Sequence, residues 1–333
     1  MTGVVLHRLA KAALAVLALV VAPALAGWAV GGVVGAAAVI LGGLMGALMA
    51  LGAGWRHARA AVPAMAVALP VAGLLSGTWA WAALVTAIAA AGGAMSRHGL
   101  QRLGLTVALV AAVAPHAEGT RDAVVAAVLV VLGGLLGVQL ARRAGAAETS
   151  PARETTPAHA AAVALGIGVA TAVACALALW LPVAHGVWIP MTVLLVAMPS
   201  SEGFARHAGE RLVGTVIGVV VLLPLGFLDL PRAASLALSL VCLVLALGWT
   251  RPTWLLAATS TMAVVLLLAP AQQTVDVAST RLLDTLIGIA VISAVVVLGR
   301  VLLPRPDDPL AIPPGPGQGA PPVADDVLPG GSR

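Results

Sequence analysis

The sequence predicts an all-α, polytopic membrane protein. Of its 333 residues, 61% are hydrophobic and only 9% are charged, and the mean hydropathy is +1.06. Soluble domains carry about 25% charged residues, so this chain has too little polar side-chain surface to face water on all sides. Apolar runs of roughly 17 to 25 residues recur along it, which is the length that a helix needs to cross a bilayer. The runs are continuous rather than alternating, which favours helices over a β-barrel.

Twelve transmembrane helices can be placed, and they divide the chain into four parts. Residues 1–140 hold the first six spans, 141–159 form a polar linker, 160–303 hold the second six, and 304–333 form a tail expected to be disordered. The first six spans are predicted at 12–27, 29–53, 61–77, 79–95, 102–115 and 122–140. The second six are predicted at 160–180, 183–199, 211–228, 233–249, 253–270 and 283–303.

The basic residues predict the orientation of these spans. With the N-terminus inside, fifteen of the eighteen Arg and Lys residues fall on the cytoplasmic side. The three that fall outside are Arg121, Arg232 and Arg281. This positive-inside asymmetry predicts a cytoplasmic (inner) membrane protein with both termini and the linker in the cytoplasm. A competing interpretation is a signal peptide, because Arg8 and Lys11 precede an apolar run that ends in the small-residue pattern of residues 24–26.

The two halves resemble tandem six-helix repeats. Thr120-Arg121 opens the predicted sixth span, and Thr280-Arg281 opens the twelfth, 160 residues later. Arg59, near the third span, matches Arg211 at the ninth. Six spans per repeat is an even number, so both copies insert in the same orientation, related by a pseudo-twofold axis along the membrane normal.

The most specific signal is a run of residues around the short connection between the eighth and ninth spans. Residues 186–218 contain W-x-P-x-T from Trp188, then Pro199, then R-x-x-G-T-x-x-G from Arg211. Hydrophobicity alone would not place Arg, Gly and Thr at those spacings. The order resembles the core signature of the fusaric acid resistance protein-like family, in the aromatic acid exporter superfamily. That resemblance implies an integral membrane transporter that exports small organic, often aromatic, acids.

Within this signature, Arg206, Arg211 and Thr215 are candidates for substrate binding or translocation. Arg211 either holds a carboxylate through bidentate hydrogen bonds or marks the helix end and reaches lipid phosphate. Thr215 follows Arg211 by one turn on the same helical face. Gly214 and Gly218 form a G-x-x-x-G pair, which predicts close packing against another helix.

Trp188, Pro190 and Thr192 are further candidates on the eighth span. Trp188 is either an interfacial anchor or a platform for a ligand. Pro190 falls inside the predicted span, where it would free a backbone carbonyl near Thr192. Such broken backbone lines binding cavities in transporters, or forms a kink that neighbouring helices accommodate.

Arg281 and Asp284 lie one turn apart at the predicted outer end of the twelfth span. A charge at the bilayer centre costs roughly 2.5 to 3.5 kcal/mol on insertion scales, so intramembrane charges usually have a function. Near the interface that cost falls. Asp284 is therefore either an acceptor for a coupling proton or a surface carboxylate paired with Arg281.

Signals of other protein classes are missing from the sequence. It contains neither a G-x-x-x-x-G-K-[ST] nucleotide loop nor a Ser/His/Asp set with an elbow motif. Cys175 and Cys242 lie in apolar runs, and no Cys/His cluster suggests a metal. Aromatic-basic clusters of the kind that bind nucleic acid are also missing. We therefore expect no enzyme activity, no cofactor, no metal and no nucleic-acid partner.

The composition predicts a protein that sits in the lipid bilayer, and the family resemblance implies a transporter that carries a small organic anion. Without a nucleotide site, the proton gradient or the substrate's own gradient would drive transport. Two alternatives remain open, a passive organic-anion channel on the same scaffold and a membrane scaffold or accessory protein without transport. The sequence is compatible with a homo-oligomer.

Overall fold

The computed structural model describes residues 13–148, 155–181, 187–198, 204–226, 231–248, 253–268 and 274–302, with the single positions 10 and 228. Every regular element in these ranges is helical, as the sequence predicts. The helices are α1 (Ala22–Ala53), α2 (Trp55–Leu75), α3 (Trp79–Ala94), α4 (Gln101–Ala112), α5 (Thr120–Arg143), α6 (Pro157–Trp180), α7 (Trp188–Ala197), α8 (Phe204–Gly226), α9 (Arg232–Gly248), α10 (Thr253–Leu268) and α11 (Thr274–Leu302). A π-helical turn, Leu17–Val21, precedes α1, and a 3₁₀ helix, Met95–His98, follows α3.

Within the described ranges, seven helices are long and apolar enough to cross a membrane. They are α1, α2, α3 with its 3₁₀ extension, α5, α6, α8 and α11. The other four, α4, α7, α9 and α10, are apolar but shorter. The chain is thus a multi-pass helical membrane protein. Residues 1–296 form one compact unit, and of a second unit, residues 297–333, the structure describes only the helical stretch 297–302.

Helix α1 is broken at Gly31 and Gly32 and folds back on itself. Gly32 has a φ of 58° and a ψ of −141°, a conformation that favours glycine. A Cβ added at Gly27 would lie 2.6 Å from the backbone oxygen of Gly35. In an uninterrupted helix those two residues would be about 12 Å apart along the axis. Residues 22–30 and 33–53 are therefore the two arms of a helical hairpin, with the turn a few residues later than the predicted boundary at 27–29.

The second arm of α1 packs directly against α5 through glycines. Gly42 and Gly46 on α1 lie against the backbone of Gly134 on α5. Gly133 and Gly137 on α5 lie against the backbone of Gly43 on α1. A Cβ at Gly137 would collide with the backbone oxygen of Gly43 and would lie 2.9 Å from the backbone nitrogen of Ala47. Because nothing larger than hydrogen fits there, the two backbones are in contact.

Replacing Gly137 by valine is expected to lower the free energy of unfolding by about 1–3 kcal/mol, since it forces a side chain into a filled interface. Thermal unfolding in detergent would measure the loss. Gly209→Val is the matched control, because a Cβ at Gly209 on α8 meets nothing within 4 Å among the described residues. Equal melting temperatures for the two variants would contradict the glycine interface.

In the second half, α8 and α9 both pack against α10. Gly214 on α8 lies against the Trp254 oxygen on α10, and a Cβ at Gly218 would lie 2.8 Å from the Ala258 oxygen. The Ser239 hydroxyl on α9 donates to the Ala263 oxygen on α10 at 2.8 Å. The halves meet where α3 crosses α6.

The predicted linker is shorter than expected, because α5 continues to Arg143 and α6 begins at Pro157. Its described part caps α2. The Trp55 and Arg56 amides donate to the Ala147 oxygen at 3.0 Å and the Glu148 oxygen at 3.2 Å, and Arg56 also forms an ion pair with Glu148. The predicted tail, residues 304–333, lies outside the described residues.

The last helix corrects the predicted twelfth span. Helix α11 begins at Thr274 rather than at residue 283. Thr280 is therefore the seventh residue of α11, whereas Thr120 is the first residue of α5. The Thr-Arg match between the halves is consequently not a match in helix position, and Arg281 is not a loop charge.

Candidate functional site

Helices α7, α8 and α11 bring most of the candidate residues together. A Cβ at Gly288 on α11 would lie 2.8 Å from the Thr192 Cβ and 3.0 Å from the Ile189 oxygen. This glycine therefore lets α11 touch the face of α7 that carries Trp188 and Thr192. At the other end of α7, the His207 Nε2 of α8 lies 3.3 Å from the Leu195 oxygen, a distance that permits a hydrogen bond.

Arg281 is buried, with 3% of its surface exposed, and lies two turns inside α11. Its Cζ lies 4.9 Å from the centroid of the Trp188 ring, within the range of a cation–π contact. Trp188 is itself only 4% exposed. The Trp188 ring therefore lies inside the protein, beside the Arg281 guanidinium.

Arg281 and Asp284 carry buried polar atoms without partners. The Arg281 Nε and Nη1 and both Asp284 carboxylate oxygens have no hydrogen-bond partner in the part of the chain that the structure describes. Asp284 is fully buried. It lies one turn from Arg281, close enough for electrostatic attraction but without a hydrogen bond between them. Uncompensated buried charge is costly, and at membrane depth it usually marks a functional site.

Arg211 approaches this pair from α8. Its side chain is half-buried, and its Nε has no hydrogen-bond partner among the described residues. Arg211 lies within electrostatic range of the like charge of Arg281. Two positive charges within electrostatic range repel each other, and a bound anion would offset that repulsion. We call Arg211, Arg281 and Asp284, together with Trp188 and Thr192, the arginine–aspartate cluster.

The remaining predicted residues surround the arginine–aspartate cluster or lie outside it. Thr192 is fully buried, and its hydroxyl has no partner in the described structure. Thr215 is also buried, one turn after Arg211. Arg206 is exposed, and its Nε donates to the Glu210 Oε1 at 2.9 Å.

Gly214, Gly218 and Pro190 have structural positions outside the cluster. The two glycines lie against α10, as helix-packing residues would. Pro190 is the third residue of α7, because the helix begins at Trp188 rather than at residue 183. Amides of the first helical turn have no partner within the helix, so Pro190 frees no carbonyl there. Within the described residues 188–197 the backbone is helical on both sides of Pro190 and Thr192.

Sequence reasoning missed that Arg281 and Asp284 are buried, although the signal was present. On α11, the buried residues recur with helical spacing and form one stripe. They are Thr274, Val277, Ala278, Arg281, Asp284, Thr285, Gly288 and Ile292. Extending this period backwards from Gly288 would have placed the two charges on the packed face of a longer helix.

Buried polar side chains are concentrated in the second half. Among the described residues, the first half buries Ser96 and Thr106, and the second half buries eleven. They are Thr171, Thr192, Thr215, Ser235, Ser239, Thr259, Thr261, Thr274, Arg281, Asp284 and Thr285. Several hydroxyls are satisfied by their own helix, as when Thr285 donates to the Arg281 oxygen at 2.8 Å. The polar interior therefore lies in the half that carries the cluster.

The fold and the cluster define a class, a multi-pass helical membrane protein with buried charge between its helices. Residues 172–295 match the family described as fusaric acid resistance protein-like, which confirms the resemblance carried by the motif. The matched segment contains every member of the arginine–aspartate cluster. Neither a curated protein nor a solved structure matches the chain.

Proposed function

We propose that this protein is a transporter that exports small organic, mainly aromatic, acids across the cytoplasmic membrane. The observation that carries the proposal is Arg281, a buried arginine with two donors that have no partner among the described residues. Guanidinium groups match carboxylates in geometry and charge. Arg211 supplies a second positive charge nearby, and the family match supports a transporter-like role.

The helix pairs support twelve spans in two repeats. When the arms of α1 count separately, the described helices number twelve. The second arm of α1 packs on α5 as α7 packs on α11. In the same order, α2 and α3 pack on α4 as α8 and α9 pack on α10. We therefore propose the repeat from the order in which the helices pack, and not from the match between Thr120 and Thr280.

The proposed orientation predicts that reporter fusions after residues 145 and 310 are both cytoplasmic. The physical reason is the excess of Arg in the segments that twelve spans place inside. Paired alkaline phosphatase and fluorescent protein fusions at each site would measure it. A periplasmic signal at either position would exclude the proposed topology.

Flux measurements on the purified full chain in proteoliposomes test the proposed function. We expect benzoate efflux that saturates with concentration, because a binding cluster has limited occupancy. A passive channel would instead give anion currents that follow the voltage and show little saturation. A scaffold protein would give no flux above that of empty liposomes. Either of those results would replace the transporter proposal.

A further inference from the structure

The arginine–aspartate cluster holds one more positive charge than negative charge. Arg211 and Arg281 contribute two positive charges, and Asp284 contributes one negative charge. Glu210 does not add to this sum, because Arg206 pairs with it at 2.9 Å. Helix α7, which supplies the ring and the hydroxyl, carries no ionisable side chain. With Asp284 ionised, the cluster therefore has a net charge of one positive unit.

Asp284 is placed so that its negative charge acts directly on a ligand bound at Arg281. It is fully buried one turn from Arg281, and no hydrogen bond from the described residues disperses the charge on its two oxygens. Between packed helices the effective dielectric constant is well below that of water, so charges a few ångströms apart interact several times more strongly. The Arg281 Cζ lies 4.9 Å from the centroid of the Trp188 ring. Because a guanidinium donates hydrogen bonds from its N–H edge, a carboxylate bound to Arg281 lies within the field of Asp284.

We propose that Asp284 selects the charge of the ligand, so that the cluster binds monoanionic carboxylates and rejects dianionic ones. This inference rests on the proposed function, since it takes Arg281 as the place where a carboxylate binds. A monoanion brings the cluster to neutrality. A dianion leaves the cluster with an excess negative charge. Its second carboxylate also lies near Asp284, and the two negative charges repel each other.

Binding of a matched pair of ligands tests this selection. Benzoate and benzene-1,3-dicarboxylate share one ring and differ by one carboxylate, and both are fully ionised at mildly alkaline pH. We expect the full-length protein in lipid nanodiscs to bind benzoate at least about tenfold more tightly than the dicarboxylate, equivalent to about 1.4 kcal/mol. Asp284→Asn keeps the shape and removes the charge, and it should bring the two affinities to within about twofold of each other.

Asp276→Asn is the matched control, because Asp276 is exposed in the first turn of the same helix. It should leave the preference unchanged. Equal binding of the two ligands by the unmodified protein would overturn the inference. This test does not depend on whether any variant folds. An unchanged preference in a folded Asp284→Asn protein would overturn it too. If benzoate is transported in either case, the proposed function stands alone; if neither ligand binds the unmodified protein, both fail.

Discussion

Arg281→Lys is expected to reduce benzoate flux about a hundredfold while the protein still folds and inserts. Lysine keeps the positive charge next to Asp284, so the buried carboxylate does not lose its counter-charge. It lacks the planar group that lies over Trp188 and the several donors that a carboxylate can engage. A hydrogen bond to a charged group contributes about 1.5–3 kcal/mol, and a hundredfold loss corresponds to about 2.7 kcal/mol. Initial rates in proteoliposomes, normalised to incorporated protein, would measure the effect.

Arg121→Lys is the matched control for this substitution. Arg121 is exposed in the first turn of α5, in the half of the protein that lacks the cluster. Its replacement should leave the rate within about twofold of the original, as surface substitutions usually do. If Arg281→Lys also transported within twofold of the original rate, Arg281 would be a structural charge and the proposed site would be wrong.

Most of the fold follows from hydrophobic length and loop charge. Apolar runs placed α3, α4, α6 and α10 close to their observed bounds, because each run ends in Pro, Gly or charged residues. The hairpin in α1 was harder to place, since Gly31 and Gly32 are two of many glycines in an apolar stretch. Only the close contact between Gly27 and Gly35 shows which pair makes the turn.

The candidate site was predicted in its residues but not in its geometry. The sequence motif identified Trp188 and Arg211 as candidates. Arg281 and Asp284 were identified as charged residues one helical turn apart. An apolar run is interrupted by charged residues, so the twelfth span was predicted to begin only at residue 283, with both charges near an interface. The helix continues to Thr274 because its packed face does not require every residue to be apolar. Packing partners decide burial here, and a single sequence does not contain them.

The glycine pairs of the first half show that a sequence motif alone does not locate a functional site. The spacing of Gly214 and Gly218 recurs in Gly42 and Gly46 and in Gly133 and Gly137, yet these four glycines only allow close backbone contact between α1 and α5. G-x-x-x-G therefore predicts close helix contact wherever it occurs, and it carries no information about function. What separates the second half is the buried charge beside its glycines.

Arg211→Lys is expected to lower benzoate flux about tenfold, with membrane expression retained. Arg211 has an Nε without a partner in the described chain and lies within electrostatic range of Arg281, so it contributes to anion binding as the second of two arginines. Lysine preserves that charge but offers a single ammonium group in place of the guanidinium fork. The loss should appear mainly as a higher half-saturating benzoate concentration, because the long-range attraction remains.

Arg206→Lys separates this role from anchoring at the helix end. Arg206 lies five residues earlier on α8, where its side chain is 67% exposed and pairs with Glu210 across one turn. Exposed ion pairs of this kind contribute about 0.3–0.5 kcal/mol, so flux should change by less than about threefold. If the Arg211 side chain only reaches lipid phosphate, lysine would serve there almost as well. Near-normal flux from a well-expressed Arg211→Lys protein would then remove Arg211 from the cluster and leave Arg281 as the sole arginine of the site.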